Sequence, residues 1–129
     1  MSQANPRVST VWKCNDVELV LDMTDVDTLE RYEKAVTNME NGIKALPKDG
    51  SQSAVIKAYC LVLRNVFDDL FGEGTAEKIF GKCMNATELT EAYESFLQFV
   101  SEQGQEFTNM QNRIAGRYSP NRAQRRAGK

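Results

Sequence analysis

The chain has 129 residues, 41% of them hydrophobic, enough for one domain with a modest core. It has no histidine, which removes the commonest general base and metal ligand and every Ser-His or Cys-His arrangement. The net charge of −2 hides a split: residues 1–116 hold 11 basic and 18 acidic side chains, whereas Arg117 to Lys129 carry five positive charges and no negative one. No apolar run approaches the roughly 18 residues of a membrane span, and the N-terminus lacks the apolar stretch of a secretory signal, so a cytosolic protein without a membrane partner is expected.

Residues 1–6 read as frayed. Val8 to Cys14 (VSTVWKC) is rich in β-branched and aromatic residues, and Asn15-Asp16 is turn-prone. Val17 to Met23 (VELVLDM) puts Val17, Leu19, Leu21 and Met23 on one face, with Glu18, Val20 and Asp22 on the other. The pattern predicts a β-hairpin over about 7–23, which must dock on helices or another subunit because a lone hairpin is marginal.

Thr24 with Asp27 reads as a helix start, and the helix runs to about Leu46, where Pro47 stops it. Its apolar residues Leu29, Tyr32, Val36, Met39, Ile43 and Leu46 form a heptad seam. Ser51 or Ser53 caps the next helix, over 54–71, which is apolar nearly all round apart from Lys57, Arg64, Asn65, Asp68 and Asp69. Such a helix is expected at the centre of the packing. Gly72 ends it in the left-handed conformation, and Thr75 opens a short helix to about Lys82, with Ile79 and Phe80 facing the core.

Thr87 caps the last helix, expected to fade near Tyr118 because Ser119 precedes Pro120. Leu89, Tyr93, Phe96, Val100, Gln103, Phe107, Met110 and Ile114 form a longer seam, interrupted by one polar residue. Gln103 has two readings: the point where intramolecular packing ends and a partner-binding stretch begins, or the edge of the core on a bent helix. The expected fold is mainly α: a small bundle of about four helices with an N-terminal hairpin, one domain over 1–116, and a flexible basic tail over 117–129.

No catalytic, cofactor-binding or metal constellation emerges. Cys14, Cys60 and Cys83 are widely spaced and without a CxxC pair, as expected of reduced, partly buried thiols. Gly72-Glu73-Gly74-Thr75 lacks the preceding strand and the Gly-Lys-Ser/Thr ending of a phosphate loop, and Glu73 would repel phosphate; a cap-to-cap turn fits better. Asp68 and Asp69 point about 100° apart on a helix, so they read as a solvated or salt-bridged edge, facing Lys78 or Lys82, rather than a catalytic dyad. Trp12 and Tyr59 read as core anchors. Arg122, Arg125 and Arg126, with Lys129, suit either phosphates or an acidic protein surface.

Two segments carry a resemblance. Leu70-Phe71-Gly72-Glu73-Gly74-Thr75-Ala76-Glu77-Lys78-Ile79-Phe80-Gly81 and Tyr118-Ser119-Pro120-Asn121-Arg122-Ala123-Gln124-Arg125-Arg126 together resemble small tail assembly chaperones of long-tailed bacteriophages and prophages of Gram-positive bacteria. The order also matches from about residue 24 onward, including Arg31-Tyr32-Glu33-Lys34-Ala35 in the first helix. The resemblance implies a non-catalytic chaperone, without cofactor, that coats the helical, aggregation-prone tape measure protein until tail tube subunits polymerise around it. It implies a homo-oligomer in the host bacterial cytoplasm, absent from the mature virion. It also implies a short form beside a frameshifted long form that recruits the tail tube protein, this chain being the short one. The expected partner-binding residues are Phe107, Met110, Ile114, Tyr118, Arg122, Arg125 and Arg126. The alternative is a phage structural or DNA-associated accessory factor, for tail completion or packaging, that uses the basic tail on DNA.

Overall fold

The structure, a computed structural model, describes residues 9–118. Strands β1 (Val11–Cys14) and β2 (Val17–Val20) form an antiparallel hairpin, followed by helices α1 (Val26–Lys44), α2 (Gln52–Phe71), α3 (Thr75–Phe80) and α4 (Ala86–Tyr118). The protein is mainly α, as the sequence pattern predicts. The expected basic tail lies outside the described residues.

The hairpin closes at Asn15 and Asp16, with φ of 50° and 67°. Positive φ at both central residues suits a two-residue loop, and asparagine and aspartate tolerate it better than bulkier side chains. The register pairs Val11 with Val20, Trp12 with Leu19, Lys13 with Glu18 and Cys14 with Val17. Leu21 and Met23 are buried, while Glu18, Val20 and Asp22 are exposed, so the period-2 pattern sorts the faces as expected.

Trp12 fixes the hairpin to the helices. Its indole stacks on Phe67 with ring centroids 5.4 Å apart and meets Phe96 edge-on at 5.3 Å. The indole N–H donates to Ser95 Oγ at 3.1 Å, so the one polar atom of the ring keeps a partner. Phe67 and Phe96 are fully buried, and each contributes roughly 1.5–3 kcal/mol through the apolar surface it removes from water.

α2 is the central element, packed against α1, α3 and α4. Ser51 caps it by accepting the Ala54 N–H at 3.2 Å. Its Arg64 donates to the carbonyls of Gly81 and Cys83 at 2.8 and 2.9 Å, satisfying the loop after α3. α1 lies across α2 with Ala35 as its buried residue, while Leu29 and Ile43 of the predicted seam are more than a third exposed. The closest approach is at Gly42: a Cβ built there would lie 2.9 Å from Val62 Cγ2. Small residues therefore set the contact between α1 and α2, and Leu29 and Ile43 are left partly exposed.

Several local expectations are corrected. α1 is capped by Asp25, which accepts the Thr28 N–H at 3.1 Å, because Thr24 is held by Asp22 instead. α4 is capped by Asn85, which accepts the Glu88 N–H at 3.0 Å, two residues before the expected Thr87. Gly72 has φ 114° and ψ 152°, a glycine-only region outside the left-handed helical basin. α3 begins at Thr75 but stops at Phe80, because Gly81 turns away at φ 59°. Asp68 accepts the Ala76 N–H at 2.8 Å and Asp69 accepts from Asn38 at 3.4 Å, so the pair braces two neighbouring helices rather than facing Lys78 or Lys82. The glycine-rich turn is thus a junction: Asp68, near the end of α2, supplies an acceptor for the orphan donors at the start of α3.

Candidate partner-binding surface

The site is built on α4. From Leu89 to Val100 its apolar stripe lies inside the molecule, with Leu89 and Phe96 at 0% exposure. At Gln103 the stripe meets the exit of the hairpin. Gln103 Nε2 donates to the Leu21 carbonyl at 2.8 Å and to the Ser9 carbonyl at 3.1 Å, while Oε1 accepts the Met23 N–H at 2.6 Å. Gln103 is 3% exposed, so these bonds satisfy backbone groups that would otherwise be buried unpaired. The buried part of the stripe ends at Gln103, and the stripe residues beyond it are exposed or half-buried. Gln103 is the last residue of the stripe inside the core, and it locks α4 to the hairpin.

α4 then continues through residues 104–118, about 22 Å of helix at 1.5 Å per residue. The same stripe now faces outward: Phe107 is 50% exposed and Ile114 is 54% exposed, with half-buried Met110 between them. Tyr118 is the last residue of the helix. The structure thus places Phe107, Met110 and Ile114 on one face, whereas Arg122, Arg125 and Arg126 lie outside the described residues.

The flanks of this stripe are nearly uncharged. Residues 104–116 contain one acid and one base, Glu106 and Arg113, and these pair at 3.2 Å with Glu106 largely buried. Gln105 donates to Asn109 at 3.4 Å, and Thr108 to the Gly104 carbonyl at 3.4 Å. Sequence inspection missed the Glu106–Arg113 pair because seven residues separate its members. Two helical turns bring them to the same face, a signal that i,i+4 matching skips.

Elsewhere the surface offers less. A hollow of about 250 Å³ between α1 and α2 is lined by Asn38, Met39, Val62, Asn65 and Asp69. Cys14, Cys60 and Cys83 are free thiols; burial pushes the Cys60 thiol up, Cys83 adds to the rise and Arg64 opposes it. Among the described residues no group of three or more Cys, Asp or Glu side chains is placed to hold a metal ion, and no helix is long and apolar enough to cross a membrane.

These features define a small helical protein whose longest helix carries an apolar face past its own core. A family described as a family of unknown function (DUF6673) matches residues 15–129, and the chain belongs to it. The match begins at the hairpin turn and takes in α4 and the basic segment. No curated protein and no solved structure matches the chain.

Proposed function

We propose that this protein is a phage tail assembly chaperone that holds the tape measure protein soluble until tail tube subunits enclose it. The observation that carries the proposal is the emergence of the α4 stripe: Leu89 and Phe96 are fully buried, and one stripe later Phe107 and Ile114 are half-exposed. A long amphipathic client helix would lay its apolar face along such a stripe. The uncharged flanks favour repeated, low-specificity docking along a long client, and many weak copies would hold it by avidity.

The two resemblance segments support the same reading, since one forms the α2–α3 junction and the other begins where α4 ends. In this reading the protein acts in the host bacterial cytoplasm, leaves before the virion matures, and contributes no catalysis. A frameshifted longer form would add the contact to the tail tube protein.

Co-expression with a tape measure protein is the experiment. The client is expected in the soluble fraction with this chain and in the pellet without it. An insoluble client in both cases would sink the proposal. The five positive charges of 117–129 favour the accessory-factor alternative only if the protein retards generic duplex DNA at low salt and releases it steeply as salt rises.

A further inference from the structure

The two outer edges of the hairpin are unequal. Leu21 N–H donates to the Thr10 carbonyl at 2.8 Å, and antiparallel pairs alternate between bonded and unbonded. The backbone groups of Val11 and Lys13 therefore point off β1, and those of Glu18 and Val20 point off β2. Ser9 closes the β1 edge: its Oγ accepts the Val11 N–H at 2.9 Å and donates to the Val11 carbonyl at 3.1 Å. No described side chain does this for β2, and Val20 is 69% exposed. Beside β2 lies an open hollow of about 300 Å³ lined by Val20, Arg31, Leu70, Phe71 and Gly72.

The surroundings of this edge are mainly acidic, with Lys13, paired to the exposed Glu18 carboxylate at 3.3 Å, and Arg31 in the hollow as the basic residues beside it. Asp16, Glu18, Asp22, Asp25, Asp27 and Glu30 are all exposed, and no basic residue interrupts positions 14–30. The opposite charge within the same chain is concentrated in 117–129. Glu18 on β2 and Asp22, two residues past its end and already accepting from Thr24 through one oxygen, are four residues apart, and Arg122 and Arg126 are also four apart. In an extended strand this spacing places both side chains of each pair on one face, so a single register joins both charge pairs.

We propose that the outer edge of β2 takes up residues 121–126 of a second copy as an added strand, with Arg122 and Arg126 against the Glu18 and Asp22 carboxylates. Main-chain bonds supply the affinity of such strand addition, and the side-chain rows set the register. The donor is a second copy because of geometry. Tyr118 lies about 22 Å along α4 from the Gln103 contact at the β2 exit. A return within one chain would use roughly seven extended residues, Arg122 among them, before pairing could begin. The interface is heterologous, with one copy giving the segment and the next giving the edge, so it propagates from copy to copy. It does not depend on any client.

Sedimentation of the full chain at low and high salt tests this. Self-association is expected at low salt and should weaken as salt screens the charge pairs. A chain ending at Tyr118 lacks the added strand and both charge pairs and should stay monomeric at low salt. Val20→Pro removes an outward N–H while leaving the ladder to β1, and should do the same. The truncated chain keeps the edge and Val20→Pro keeps the segment, so mixing them should give a one-to-one heterodimer although each alone is monomeric. If Val20→Pro fails to fold, a charge swap replaces it: Glu18→Arg with Asp22→Arg, or Arg122→Glu with Arg126→Glu, should each weaken association, and all four together should restore it. Undiminished association of the truncated chain overturns the proposal. So does an intact chain that is monomeric throughout, or a swap without rescue.

Discussion

α4 is one continuous helix with two different lives. From Leu89 to Gln103 its stripe is held by Phe67, Trp12 and the backbone of the hairpin, whereas from Phe107 to Ile114 the same heptad spacing meets solvent. Periodicity alone does not separate the two halves, because both repeat with the same spacing. What separates them is supply: the hairpin and α2 provide apolar and polar partners as far as Gln103, and beyond it Glu106 is buried and Met110 half-buried while Phe107 and Ile114 meet solvent. A helix face of this kind contributes little to the stability of its own domain and is free to bind something else.

Substitutions in the two halves of α4 should differ in cost. The largest effect is expected for Phe96→Ala, which removes a fully buried ring from the aromatic cluster and should cost about 3–5 kcal/mol in urea unfolding. Gln103→Leu keeps the volume but strands the Met23 N–H and the Leu21 carbonyl, and should cost on the order of 1–3 kcal/mol by the same measurement. Asn85→Ala deletes the α4 cap and should cost about 1 kcal/mol. Phe107→Ser with Ile114→Ser should change stability by less than about 0.5 kcal/mol per site while abolishing solubilisation of the client. A cost as large as that of Phe96→Ala would erase the distinction between the two halves.

A pH effect follows from Tyr93, on the buried half. Burial, with Tyr32 and Glu40 adding to it, pushes its phenol up to about 12. Above pH 10 the unfolded chain loses this proton while the folded chain retains it, so the unfolded state is favoured as pH rises. Its contribution is intact below pH 10 and declines between pH 10 and about 12. Tyr93→Phe should flatten that part of the stability profile in alkaline thermal melts.

Much of this arrangement is legible in the sequence, for physical reasons that differ by element. The hairpin is readable because period-2 alternation and a turn-prone pair coincide at Asn15-Asp16. α2 is readable because its apolar residues surround the helix. Caps are less readable: Thr24 and Asp25, or Asn85 and Thr87, are chemically equivalent candidates, and the choice depends on which backbone turns first. The seam of α1 is half legible: its Tyr32 and Met39 pack on the core, but Leu29 and Ile43 stay more than a third exposed because Ala35 and Gly42 make the close approach. Gln103 stands out as a polar break, but its partners lie about eighty residues away in sequence. Only the fold brings them together.

Amide hydrogen exchange along α4, alone and with co-purified tape measure protein, reads the two halves of the helix separately. In the free chain, residues 86–103 should exchange slowly and 104–118 much faster, and client binding should slow 104–118 while leaving α1 and α2 unchanged. Protection that falls on α1 and α2 instead, with 104–118 unaffected, would contradict the assignment of the emerging stripe as the docking face.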